Sequence, residues 1–122
     1  SYSTFNPALL ESLAESLPPA QIAALMKSFT DKSDEILADL QRAAETKDTQ
    51  IFYDKGHELK GMAANFGLTA LSKLGATIEH AGKEQKIEEA LTAINQLAEC
   101  NTQSKMEIKA WMESLPILRG DA

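Results

Sequence analysis

A chain of 122 residues with 43% hydrophobic and 25% charged residues is expected to form a single globular domain, 1–122, with a real core rather than a disordered or fibrous one. Its formal net charge of −6 argues against nucleic acid, whose binding rests on neutralising phosphates. No apolar run approaches the roughly 20 residues needed to span a bilayer and no signal peptide is recognisable, so a soluble, cytoplasmic domain without direct membrane contact is expected.

Residues 1–6 read as a loose leader. Asn6-Pro7 then makes a good helix start, an asparagine cap followed by proline at the first helical position. A short helix over about 7–16 follows, with Leu9, Leu10, Leu13 and Leu17 as its apolar edge, and Pro18-Pro19 ends it. Residues 20–46 carry the longest amphipathic pattern: Ile22, Leu25, Met26, Phe29, Ile36, Leu37, Leu40, Ala43 and Ala44 recur at helical steps. Ser33 is the soft spot in that stripe, and Lys27, Asp31, Asp34, Asp39 and Arg42 take the opposite face. Such a stripe reads as bundle core.

After the polar break Thr46-Lys47-Asp48-Thr49, a helix is predicted over about 49–66, closed by Gly67 in the left-handed conformation. The next covers about 69–82, with Leu71, Leu74 and Ile78 inward and Gly82 as its end. So short a connection makes these two helices antiparallel neighbours. A last helix covers about 86–115, with Ile87, Leu91, Ile94, Leu97, Ala98, Ile108, Trp111, Met112 and Leu115 inside. The run Asn101–Lys105 interrupts that stripe, either as a solvated overhang or as a polar layer. Cys100 cannot form an internal disulfide and has no histidine near it in sequence, which makes it a packing residue rather than a nucleophile. Pro116 stops the helix, and Leu118–Ala122 reads as frayed. The sum is an all-α fold: an antiparallel up-and-down four-helix bundle, core about 20–115, with an additional short amino-terminal helix.

The third helix is unlike the others. With Phe52 at zero and about 100° per residue, Gly56, Leu59, Ala63 and Phe66 fall within roughly 40°, whereas His57 lands about 140° away. A histidine kept for packing belongs in the apolar stripe; this one points out. Gly61 lies one turn on at about 180°, and Ala64 at about 120°. Glycine in a helix interior costs roughly 1 kcal/mol relative to alanine, so it asks for a reason. Two small residues leave the imidazole clear for another protein's surface, and Lys60 can swing its ammonium beside the ring. The plain alternative is a solvated face with a chance histidine. Between Lys55 and Lys86 there are five lysines against three acids, so this hairpin is the least acidic part of an acidic chain and suits an acidic partner.

Several chemistries are poorly served. There is no glycine-rich phosphate cradle, no Gly-x-Ser-x-Gly elbow and no Cys/His pairing, so a self-contained enzyme with turnover of its own is not expected. His57, His80 and Glu79 do not close a metal site, because bundle sites face inward on Glu-x-x-His steps and His80 looks outward. What remains is a lone exposed imidazole acting as nucleophile or phosphoryl carrier. A solvated histidine, with a reference pKa of about 6.5, is mostly neutral at pH 7 and can attack without a dedicated base. The rival is a non-catalytic helical interaction module that uses the same face without chemistry.

His57-Glu58-Leu59-Lys60-Gly61 followed by Gly67-Leu68 resembles the signature of histidine-containing phosphotransfer (HPt) domains, and Leu71-x-x-Leu74-Gly75-x-x-Ile78-Glu79 resembles the family's next helix. The likeness covers about 20–115 and is most specific over 57–79. It implies the HPt four-helix bundle, with His57 phosphorylated through its outer ring nitrogen. The phosphoryl group would come from an aspartyl phosphate on a response-regulator receiver domain and pass to a second receiver, or run in reverse. Lys60 would steady the phosphoryl charge, and Gly61 and Ala64 would give the receiver clearance. Tyr53 and Glu79 complete the expected partner-facing set; some relatives place a glutamine where Glu79 stands, bonding the histidine or phosphate. Mg²⁺ would belong to the receiver, so no cofactor and no metal are expected on this chain. The resemblance is strongest to carboxy-terminal HPt modules of bacterial hybrid sensor kinases, cytosolic parts of inner-membrane proteins; a free-standing shuttle fits nearly as well.

Overall fold

The structure is a computed structural model and describes residues 5–115. Helix α1 (Ala8–Ser16) starts under the Asn6 side chain, whose Oδ1 accepts from the Ala8 N–H at 3.0 Å. Helix α2 (Pro19–Thr46) opens with a proline at its first position, where the missing N–H is no loss. Helix α3 (Thr49–Asn65) is capped by Asp48, which accepts from the Ile51 N–H at 3.2 Å. Helices α4 (Thr69–Lys83) and α5 (Ile87–Ser114) follow after short turns. No helix among the described residues is long and apolar enough to cross a membrane.

Short turns make α3, α4 and α5 each run antiparallel to the helix before. From α2 to α5 each packs on its chain neighbour, α5 closes the ring against α2, and α1 lies across α2. The shared centre is filled by Phe29, Ile36, Leu40, Phe52, Leu59, Leu71, Ile78 and Leu97, all but sealed from solvent. The expected architecture is therefore the one observed.

Four local expectations are corrected. Leu9 and Leu13 do not join the core: they are 53% and 38% exposed, because the nine residues of α1 turn Leu10 inward and leave the flanking leucines out. Gly82 does not end α4. The helix runs to Lys83, and the left-handed residue that closes it is Gln85, φ 56°, with the Lys86 N–H donating to the Ala81 carbonyl at 2.8 Å. Ala98, expected inside, is exposed, while Ala90, Ala93 and Cys100 are buried. Residues 5 and 6 of the expected loose leader are held in place. Phe5 pairs with Leu68, and the Asn6 N–H donates to the Gly67 carbonyl at 2.8 Å.

Asn101–Lys105 is a polar layer within an unbroken α5. Asn101 and Ser104 are buried opposite buried Ser33. Asn101 Nδ2 and Lys105 Nζ both donate to Asp34 Oδ1 at 2.9 Å, which ties α5 to α2. The expectations for residues 1–4, for Pro116 as a stop and for a frayed 118–122 lie outside the described residues.

Candidate functional site

Gly67 adopts φ 71° as expected and closes α3 with a Schellman turn: Leu68 N–H to Ala63 carbonyl at 2.9 Å, Gly67 N–H to Ala64 carbonyl at 3.1 Å. That turn sends α4 straight back along α3. The two helices then approach backbone to backbone. A Cβ on Gly56 would stand 2.5 Å from the Glu79 nitrogen, and one on Gly75 would stand 2.6 Å from the Lys60 nitrogen. Ser72 adds a bridge, donating from Oγ to the Lys60 carbonyl at 2.9 Å. The outcome is that Glu79, on α4, sits level with His57 and Lys60 on α3.

The three side chains meet there. Glu79 Oε2 lies 2.5 Å from His57 Nδ1, and Lys60 Nζ donates to Glu79 Oε1 at 2.6 Å. The Lys60 hydrogen bond, more than any other influence, holds the Glu79 carboxyl below its ordinary value; the His57 bond and the two charges add to it, and partial burial opposes them. Glu79 is therefore ionised and accepts, so Nδ1 carries a proton, and in the neutral imidazole Nε2 carries the lone pair. The imidazole side chain is 65% exposed, and Nε2 has no hydrogen-bond partner among the described residues.

The other candidates fall around this group as follows. Tyr53 is exposed and lies nearly parallel to the imidazole, with ring centroids 6.5 Å apart and 18° between planes. Gly61 is exposed, and a Cβ there would meet nothing within 4 Å. Ala64 is exposed one turn further on. Glu79 is the exception among the expected partner-facing residues. Its side chain is 16% exposed and is turned onto His57 and Lys60. Sequence reasoning missed Ser72 and the role of Gly56, Gly75 and Gly82 in bringing α3 and α4 together. The signal was present, since three glycines fall on the inward arcs of two adjacent helices. His80 is exposed on α4, and no cluster of metal-ligating side chains occurs among the described residues.

A flank of ion pairs lies on the α2 side of the histidine. Lys32 bonds Glu58 at 2.9 Å, and Lys55 reaches Glu58 and Asp39, each at 3.4 Å. These bonds lower the Glu58 carboxyl, Lys32 foremost.

Comparisons with known proteins bear on this geometry. The fold matches the crystal structure of histidine-containing phosphotransfer protein B (HptB) from Pseudomonas aeruginosa PAO1, with TM-score 0.83 and 23% identity over 90% of this chain and 95% of that one. No curated protein sequence matches the chain significantly. The family model of the Hpt domain matches residues 24–107, which takes in α3, α4 and most of α2 and α5. With that match over more than two thirds of its length, the chain belongs to the Hpt domain family.

Proposed function

We propose that this domain is a phosphorelay intermediate that carries a phosphoryl group on His57 Nε2 between aspartates of response-regulator receiver domains. The observation that supports this most is the pairing of an exposed imidazole with a carboxylate on its inner nitrogen. In the loading step the Nε2 lone pair attacks the phosphorus of an aspartyl phosphate. The N–P bond forms, the P–O bond to the aspartyl carboxyl breaks, and the aspartate leaves as carboxylate. The ring becomes an imidazolium with its proton still on Nδ1, facing the negative charge of Glu79. Unloading reverses each change. The leaving group is then neutral imidazole, which departs far more readily than an imidazolate.

Lys60 has two stations in this scheme. Without phosphate it rests on Glu79 Oε1. With phosphate on Nε2 its ammonium turns to the phosphoryl oxygens, a dianionic partner in place of a monoanionic one. Gly61 and Ala64 keep the approach open for the receiver, which brings the acidic pocket and Mg²⁺. The setting we infer is a cytoplasmic domain, either the carboxy-terminal module of a bacterial hybrid sensor kinase or a free shuttle.

The test is direct. Receiver domains charged with labelled phosphate are mixed with the domain, and the expected product is an acid-labile, base-stable phosphate on the wild type and none on His57→Gln. Label that persists on His57→Gln refutes the assignment. Wild type left unlabelled by every donor points to an interaction module without chemistry.

A further inference from the structure

The cations around His57 are of two kinds. Lys32, Lys55 and Lys60 are each engaged by a carboxylate. Lys83, the last residue of α4, has no ion-pair or hydrogen-bond partner among the described residues. It borders a cleft of about 380 Å³ lined also by Thr49, Gln50, Tyr53, Gly82 and Gln85. Gly82 builds this place: a Cβ there would stand 2.5 Å from the Tyr53 nitrogen and 2.7 Å from the Thr49 carbonyl, so only glycine lets the two backbones meet. Gln85, left-handed at φ 56°, turns the chain at the cleft's far end.

Tyr53 is the wall this cleft shares with the histidine, since its ring lies beside the imidazole and nearly parallel to it, with centroids 6.5 Å apart. The cleft is thus continuous with the face that carries His57, one helical turn toward the amino end of α3. We propose that it is a specificity subsite that takes an aspartate or glutamate side chain of the receiver domain docking on His57, a reading that rests on the phosphorelay role above. The carboxylate meets the Lys83 ammonium, and the methylenes behind it lie on the Tyr53 ring. The nearby acids do not neutralise the site. Asp54 accepts from Gln50 Nε2 at 3.0 Å, and neither Asp54 nor exposed Glu84 lines the cleft. A last-turn lysine also complements the helix dipole. That accounts for a cation at the end of α4, and not for the aromatic-walled cleft it borders beside the carrier.

The experiment titrates one receiver domain, the fastest donor to the wild type in a panel charged with acetyl phosphate, against four proteins: wild type, Lys83→Glu, Lys83→Arg and Lys109→Glu. Lys109 is exposed on α5, which runs antiparallel to α4, so it lies toward the opposite end of the bundle. Lys83→Glu is expected to raise the receiver concentration for half-maximal loading about tenfold, with a smaller change in the saturated rate. Lys83→Arg and Lys109→Glu are expected to stay within about twofold of wild type. Salt should weaken wild-type loading more steeply than that of Lys83→Glu. Equal half-saturation for Lys83→Glu and Lys109→Glu overturns the subsite while leaving the phosphorelay role intact. Wild type that no receiver loads overturns the phosphorelay role, and the subsite with it.

Discussion

Between α3 and α4 the closest approaches are backbone to backbone, whereas α2 and α5 are held apart by side chains. In the first pair, glycines at 56, 75 and 82 remove the side chains that would stand between the two backbones at those points. In the second, buried Ser33, Asn101 and Ser104 form a layer tied through Asp34 to Lys105. Backbone contact has no rotamer freedom, so it fixes the axial register of two helices more tightly than side-chain contact does. Side-chain contact can repack. The candidate site needs the first property, because Glu79 reaches His57 and Lys60 from the facing helix only at one register. The α2–α5 half needs only to fill space.

The most severe way to break the contrast is at Gly75. Gly75→Ala puts a methyl group 2.6 Å from the Lys60 nitrogen and 3.0 Å from the Gly56 carbonyl, both of them backbone atoms. Overpacking of this kind costs about 1–3 kcal/mol, toward the upper end where the obstructing atoms are backbone, and alanine's better helix propensity returns roughly 1 kcal/mol, so a net loss of about 1–2 kcal/mol is expected in urea unfolding. Loading of His57 should fall with it, because Glu79 is carried out of line. A neutral Gly75→Ala would show that α3 and α4 have slack. Asn101→Leu probes the other pair. Asn101 Oδ1 is buried without a partner among the described residues, and leucines 37, 59, 71 and 97 stand around it. An orphaned acceptor costs about 1–3 kcal/mol, against the loss of one bond to half-exposed Asp34. The net expectation is a gain of about 1 kcal/mol with loading unchanged.

The same division explains what could be read without coordinates. Periodicity found all five helices because a stripe such as Ile22–Ala44 reports burial residue by residue. It also set His57 outside the core, since 140° on a wheel needs no knowledge of a neighbour. It failed where the answer lay in another element. Leu9 and Leu13 carry the right pattern, but so short a helix, burying only Leu10, leaves both of them at the surface. Gly82 looks like a helix end because glycine usually is one; its reason is Tyr53 and Thr49 on α3, invisible from α4 alone. Asn101 reads as a gap in a stripe until Asp34 is seen across from it. Glu79 follows the same logic, since its partners lie 22 and 19 positions away in the chain.

Two glycines five residues apart on α3 then separate space from propensity. Gly56 is pressed against α4, while a Cβ on Gly61 meets nothing. Gly61→Ala is therefore expected to stabilise the domain by about 0.8 kcal/mol, the ordinary difference between the two residues within a helix. Gly61→Leu should leave helix content alone by circular dichroism yet slow transfer from a charged receiver. Unchanged transfer would mean that the glycine is not there for clearance.

The smallest stability effect is expected at Glu79, where it carries the most chemical information. Glu79→Gln removes a charge from a partly exposed group and should cost about 0.5 kcal/mol at pH 7. The sign of its pH dependence follows from the lowered carboxyl. A carboxyl held below its ordinary value of 4.5 stabilises the fold above that pH, and the contribution disappears as the pH falls through its folded-state value. The difference between wild type and Glu79→Gln should thus shrink in urea titrations as the pH falls below 4.5 and through the folded-state value of the carboxyl. Loading should separate them further. A glutamine can offer Nδ1 either its oxygen or its NH₂, and the second choice moves the ring proton to Nε2 and removes the attacking lone pair. Loading slowed by the substitution at every receiver concentration, with half-saturation unmoved, is the mark of a residue that orients the imidazole. A shift in half-saturation alone would return Glu79 to the docking surface.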